Sequence, residues 1–208
     1  MTPKLLSFHS DPSVKEKYVS RMKAHAKADE LIHGEYWKDG KGCAVGCTIH
    51  SGQHSAYETE LGLPEWLARL EDGIFEGLNN GDSKEFAVEF LKVIPVGVNL
   101  EPVKWKFCAF ILKENIERVL KLTISDDLKE KVVKAIRQCL AVQESAINTG
   151  GMDGSAAESA AESAESAAWS AARSAESAAW SAALSAESAK SAAYKRYADE
   201  LLRLLKTA

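Results

Sequence analysis

Two thiols and two imidazoles fall within one short run, Cys43-Ala44-Val45-Gly46-Cys47-Thr48-Ile49-His50-Ser51-Gly52-Gln53-His54. Cysteine sulfur and histidine nitrogen are donors that Zn²⁺ accepts in tetrahedral sites, so Cys43, Cys47, His50 and His54 form a candidate zinc set. The spacing departs from that of familiar zinc modules, in which two residues, not three, separate paired cysteines. The competing reading makes Cys43 and Cys47 small buried hydrophobes and leaves both imidazoles bonded to backbone groups of a glycine-rich loop. A second row, His25, Asp29 and His33, repeats at four-residue steps and shares one face if a helix extends that far. A carboxylate between two imidazoles would orient a ligand or a general base, although such a row is more often a polar layer beneath a loop. Glu35-Tyr36-Trp37 is placed to anchor that loop. No phosphate-cradling glycine motif, nucleophile elbow or HExxH zinc signature accompanies these residues.

The elements expected to carry them are helical. Asp11-Pro12 opens a helix predicted to run to about His33, with Tyr18, Met22, His25 and Asp29 along one side. Asp39-Gly40-Lys41-Gly42 ends it, and a structured loop follows to about Ser55, with a helical turn near Cys43 to Cys47. Pro64 then starts a helix whose apolar stripe is Leu63, Trp66, Leu67, Leu70, Ile74, Phe75 and Leu78. Asp82 or Ser83 caps the next, which buries Phe86, Phe90, Val93 and Ile94 before Pro95. Pro102 begins a helix burying Trp105, Cys108, Ile111 and Leu112, and Asn115 to Thr123 is read as helix. Ser125-Asp126-Asp127 caps one carrying Leu128, Val132, Ile136 and Cys139. No alternating runs joined by a hairpin turn are evident. The fold class is therefore all-α: an irregular helical bundle over residues 1–147, followed by one long Ala/Ser-rich helix.

Residues 148–154, with three glycines, read as a hinge. Beyond it, over 155–208, the chain has an eleven-residue repeat: Ser163 to Arg173 and Ser174 to Leu184 match at ten of eleven positions. On a helical wheel Ala164, Ala167, Ala168, Ala171 and Ala172 lie side by side, and Tyr194, Leu201 and Leu205 continue their azimuths. One seam, small at first and bulky at its end, thus runs the length of the predicted helix. Trp169 and Trp180 sit off the seam one repeat apart, where they fill a groove or present a partner face. About fifty residues make a rod of roughly 75 Å, longer than the ~40 Å breadth expected of the body. A second copy is therefore the expected cover for the seam, giving a homo-oligomer.

Net charge of -4 and a pI near 5.8 give no general attraction for nucleic acid or anionic membranes. No run approaches the ~20 apolar residues a membrane span requires. The first residues lack a sustained apolar stretch, so neither leader nor anchor is expected. A cytoplasmic location with four reduced thiols follows as an expectation.

The combination Tyr36-Trp37, Gly42-Cys43-Ala44-Val45-Gly46-Cys47-Thr48-Ile49-His50, His54-Ser55-Ala56-Tyr57-Glu58 and Leu63-Pro64-Glu65-Trp66-Leu67-Ala68-Arg69-Leu70-Glu71 resembles a family of uncharacterised bacterial and phage-borne proteins. That resemblance implies a helical body followed by an alanine-rich repeat, and no established activity comes with it. The function expected from the sequence is a non-enzymatic binding or scaffold protein that self-associates through the C-terminal seam. The alternative is a metal- or thiol-dependent enzyme using Cys43, Cys47, His50 and His54.

Overall fold

Asp11 and Pro12 open the first long helix as their order predicts: the Asp11 carboxylate accepts from the Ser13 amide at 2.8 Å, and α1 runs Pro12–Lys27. The computed structural model describes residues 5–150 and 186–208. Tyr18 and Met22 are buried on α1 as expected, but the helix stops short of His33. Asp29 adopts a left-handed backbone conformation (φ 57°), which breaks the predicted His25, Asp29, His33 row.

The chain then makes a two-residue antiparallel hairpin that the sequence reading missed. β1 (Trp37–Lys38) pairs with β2 (Lys41–Gly42), Trp37 opposite Gly42. Asp39 and Gly40 both have positive φ, 51° and 83°, the requirement of a type I′ turn. The Asp-Gly pair that reads as a helix breaker is thus a hairpin turn whose strands are too short to show alternation.

Four short to medium helices follow: α2 (Ala44–Ile49), α3 (Ala56–Leu61), α4 (Glu65–Gly77) and α5 (Asn80–Val93). Asn79, not Asp82 or Ser83, caps α5, its side-chain oxygen accepting from the amides of Gly81 and Asp82 at 3.1 and 3.0 Å. Helices α1, α4 and α5 pack together, and α2 is wedged between α1 and α4. Tyr18, Met22, Val45, Tyr57, Leu67, Phe75 and Phe90 fill the centre. Helix α6 (Glu101–Lys121) extends through the segment read as helix before Thr123. In α7 (Asp126–Thr149) the Ser125 hydroxyl accepts from the Leu128 amide, as the cap prediction requires. On these two helices the buried residues are Val103, Phe107, Ala109, Val133, Ala135 and Ala146, whereas Trp105, Cys108, Ile111, Leu112, Leu128, Val132, Ile136 and Cys139 are only half-buried. Helix α7 continues through Asn148 and Thr149, the first residues of the predicted hinge, to a left-handed Gly150, and residues 151–154 lie outside the described residues. Among the described residues the class is largely all-α, and no helix is long and apolar enough to cross a membrane.

Two compact units emerge. One comprises residues Met1–Val103 with Ser188–Ala208, and the other Lys104–Glu187. The repeat residues Ala164, Ala167, Ala168, Ala171, Ala172, Trp169 and Trp180 lie outside the described residues. The last helix, α8 (Ala186–Lys206), belongs to the first unit. Its Leu201 and Leu205 are fully buried there, the Lys195 ammonium pairs with Asp82 at 2.8 Å, and the Tyr194 ring lies over Gly77. Of the predicted seam residues, Leu201 and Leu205 are thus buried within the first unit, and Tyr194 is half-buried beside Gly77. Bulky apolar side chains within reach of the body are buried there without the entropy cost of association.

A Cβ at Gly77 would stand 2.3 Å from the Tyr194 ring. Gly77→Ala should therefore cost about 1–3 kcal/mol by overpacking and loosen α8 first. Amide exchange along residues 191–206, faster in the variant than the rest of the first unit, is the expected readout. Unchanged exchange there would show that α8 does not depend on this contact.

Candidate functional site

The loop and α2 are locked together by backbone. Cβ atoms at Gly46 and Gly42 would fall 1.5 Å and 2.0 Å from the Tyr36 carbonyl oxygen, so only glycine lets that loop backbone lie so close. Cys43 caps α2, its sulfur accepting weakly from the Gly46 amide at 3.5 Å, and the Cys43 amide donates to Glu35 O at 2.8 Å. The anchoring expected of Glu35-Tyr36-Trp37 is therefore carried largely by backbone. From this wedge the polar side chains diverge in two directions.

Toward α4, Cys43 Sγ and one carboxylate oxygen each of Asp72 and Glu76 lie within 4.8 Å of one another. Both Glu76 oxygens accept from the Gly34 amide, at 3.1 and 3.0 Å, tying the loop to α4. His54 is only 8% exposed, and its Nε2 stands 3.4 Å from Asp72 Oδ2 without hydrogen-bond geometry. Tyr36 meets the His54 ring edge-on at 5.4 Å. Directly beneath, Glu71 is fully buried and its Oε2 accepts from the Tyr57 hydroxyl at 2.7 Å. Burial, offset in part by that hydrogen bond, pushes the Glu71 carboxyl up to about 8. A cleft of about 300 Å³ lined by Gly34, Glu35, Tyr36, Asp72 and Glu76 opens over the group.

Four side-chain atoms among the described residues are buried without a hydrogen-bond partner: His54 Nε2, Glu71 Oε1, Asp72 Oδ1 and Gln143 Oε1. Three of the four come from this one group of residues. Each such atom ordinarily costs about 1–3 kcal/mol, and a native fold seldom gathers several in one place without a use for them.

On the other side of α2 lies a separate group. His25 Nδ1 is 2.6 Å from Glu30 Oε2, and His25 Nε2 is 2.9 Å from His50 Nε2. His50 ends α2 in a left-handed conformation and stacks on Trp37 at 4.4 Å. Partial desolvation of this otherwise exposed ring, then the nearby Arg21 and His25, hold its pKa below the ordinary imidazole value, against the opposing pull of Glu60 and Glu30.

The predicted set Cys43, Cys47, His50 and His54 does not converge. Cys43 and His54 reach the α4 group, and His50 joins His25. Cys47 donates to the carbonyl of Gly42 at 3.4 Å, within the fold. Four-residue spacing placed both cysteines on one short helix, but that helix is buried all round, so its side chains reach different neighbours. Burial raises both thiols, Cys47 to about 12, which keeps them protonated at neutral pH. The second predicted row also regroups: Asp29 is exposed and pairs with Lys84, and His33 bonds to the Ser83 hydroxyl at 3.0 Å. The carboxylate serving His25 is Glu30.

No family model, curated protein or solved structure matches the chain. The residues that complete both groups, Glu30, Glu71, Asp72 and Glu76, were not singled out from the sequence. A signal was present for Glu71, which lies four residues after Leu67 and three before Ile74, on the stripe that α4 buries. An acid on an apolar stripe is costly to bury and marks a site.

Proposed function

We propose that this protein binds a divalent cation of the zinc class, with Cys43, Asp72 and Glu76 as ligands and His54 orienting Asp72. The observation that carries this reading is the gathering of one sulfur and two carboxylates within 4.8 Å, beside a buried imidazole whose Nε2 lacks a hydrogen-bond partner. A set mixing thiol and carboxylate suits a borderline ion better than Ca²⁺ or Mg²⁺, which favour oxygen alone. The metal would draw the proton from Cys43, whose thiol is otherwise held neutral by burial, so binding should strengthen as pH rises. Glu76 and the half-buried Asp72 line the cleft and give an ion a route in.

Cobalt provides the test, because thiolate ligation produces a charge-transfer absorption that carboxylates alone do not. Chelator-treated protein titrated with Co²⁺ should develop that band, Cys43→Ser should lack it, and Asp72→Asn should weaken binding by at least about tenfold. His54→Ala should weaken it about 10- to 100-fold, as loss of an outer-shell partner typically does. Absence of the band with Cys43 intact and the protein folded by circular dichroism would overturn the assignment.

A further inference from the structure

We infer that His50 is a general base, its Nδ1 accepting a proton from water or a hydroxyl, with His25 and Glu30 as the positioning residues behind it. This site is separate from the cation site and stands without it.

The proton positions follow from the partners. An ionised carboxylate only accepts, so Glu30 Oε2 at 2.6 Å requires the proton on His25 Nδ1. His25 Nε2 is then the acceptor in the neutral ring, and the 2.9 Å contact requires the proton on His50 Nε2. The lone pair of His50 is left on Nδ1, on an exposed side chain with no hydrogen-bond partner for that atom among the described residues. Trp37 stacks on one ring face with an interplanar angle of 12° and meets His25 edge-on, so both imidazoles are held in orientation. A carboxylate that fixes the tautomer of an imidazole and faces the charge it acquires is the logic of a catalytic triad, here extended by one ring.

The step balances. Water gives a proton to His50 Nδ1 as its oxygen bonds to an acyl carbon. The His50 Nε2 proton passes to His25 Nε2, and the imidazolium so formed lies against Glu30. The acyl C–O bond then breaks, the leaving alkoxide departs with the electron pair, and the relayed proton returns through His50 to solvent. The charged groups facing the pair are Arg21 from α1, Glu30 from the turn after it and Glu60 from α3. Partial desolvation first, and the cationic Arg21 second, disfavour protonated His50, so the basic form should persist below the ordinary imidazole range.

The probe is p-nitrophenyl acetate, an activated ester that reports on a competent base without a natural substrate. Full-length protein should hydrolyse it with a rate that rises with pH through a midpoint below the ~6.5 of an ordinary histidine. His50→Asn, whose side chain tolerates the left-handed backbone there, should lose at least about tenfold of the protein-dependent rate. His25→Ala and Glu30→Gln should lower the rate and also move the midpoint, which a purely structural role would not do. Long-range proton–nitrogen NMR correlations provide the second measurement, and His50 should be the Nε2-protonated tautomer. An Nδ1-protonated His50, a folded His50→Asn variant with wild-type rate, or profiles for His25→Ala and Glu30→Gln that superimpose on wild type would each overturn the proposal.

Discussion

Gly46→Ala is expected to destabilise the first unit by about 3 kcal/mol or more, a large share of the ~5–15 kcal/mol that holds a typical domain folded. The added Cβ would stand 1.5 Å from the Tyr36 carbonyl oxygen and 2.6 Å from its carbon, a clash with backbone that no rotamer change relieves. Either α2 or the loop must move. Movement of α2 would open the contacts with α1 and α4 on both sides, and movement of the loop would release Tyr36 from His54 and Trp37 from His50. A control sits in the same unit: Gly73, within α4, has nothing within 4 Å of its would-be Cβ. Gly73→Ala should be neutral or stabilising by up to ~1 kcal/mol, since alanine favours helix. Urea unfolding of the two variants separates close approach from helix propensity. If both shift the midpoint alike, the space argument at Gly46 fails.

The same residues show how far the sequence could be read. Caps and stripes spoke clearly where one element decided the outcome: Asp11-Pro12 before α1, Pro64 before α4 and Ser125 before α7 rest on local hydrogen bonds and fixed φ. The loop around Cys43 was recognisable as unusual from its glycines and its concentration of imidazole and thiol. What each side chain meets there depends on contacts across the chain, His25 with His50 and Cys43 with Asp72, which sequence spacing does not encode. His25, Asp29 and His33 illustrate the point, because a single left-handed residue rotated the last two away from the first. Helices α6 and α7 expose a different limit. Their apolar residues are spread broadly enough that several stripes fit, and the buried one passes through Phe107 and Val133, not Cys108 and Val132.

The C-terminal helix carries a similar lesson. Its apolar azimuth was correctly placed on Leu201 and Leu205, yet a helical wheel identifies which face is hidden and not what hides it. The first unit covers that face, with Lys195 reaching Asp82 beside it.

Stability should fall as pH rises from about 4.5 to about 8, through Glu71. Its carboxyl is held near 8 in the fold against 4.5 for the exposed group, so between those values the folded chain retains a proton that the unfolded chain releases. A raised acid pKa therefore favours the fold at low pH, and the benefit is lost progressively until both states are ionised. The expected loss across that window is on the order of a few kcal/mol, at up to ~1.4 kcal/mol per pH unit. His50 acts in the opposite sense, because a lowered imidazole pKa makes stability rise with pH near neutrality. The measurement must consequently be a difference between wild type and Glu71→Gln, made by urea unfolding at several pH values with chelator present. The amide is neutral throughout and its oxygen can still accept from Tyr57. Glu71→Gln should thus gain on wild type steadily from pH 5 to pH 8, and parallel curves for the two proteins would mean that Glu71 is already ionised in its buried site.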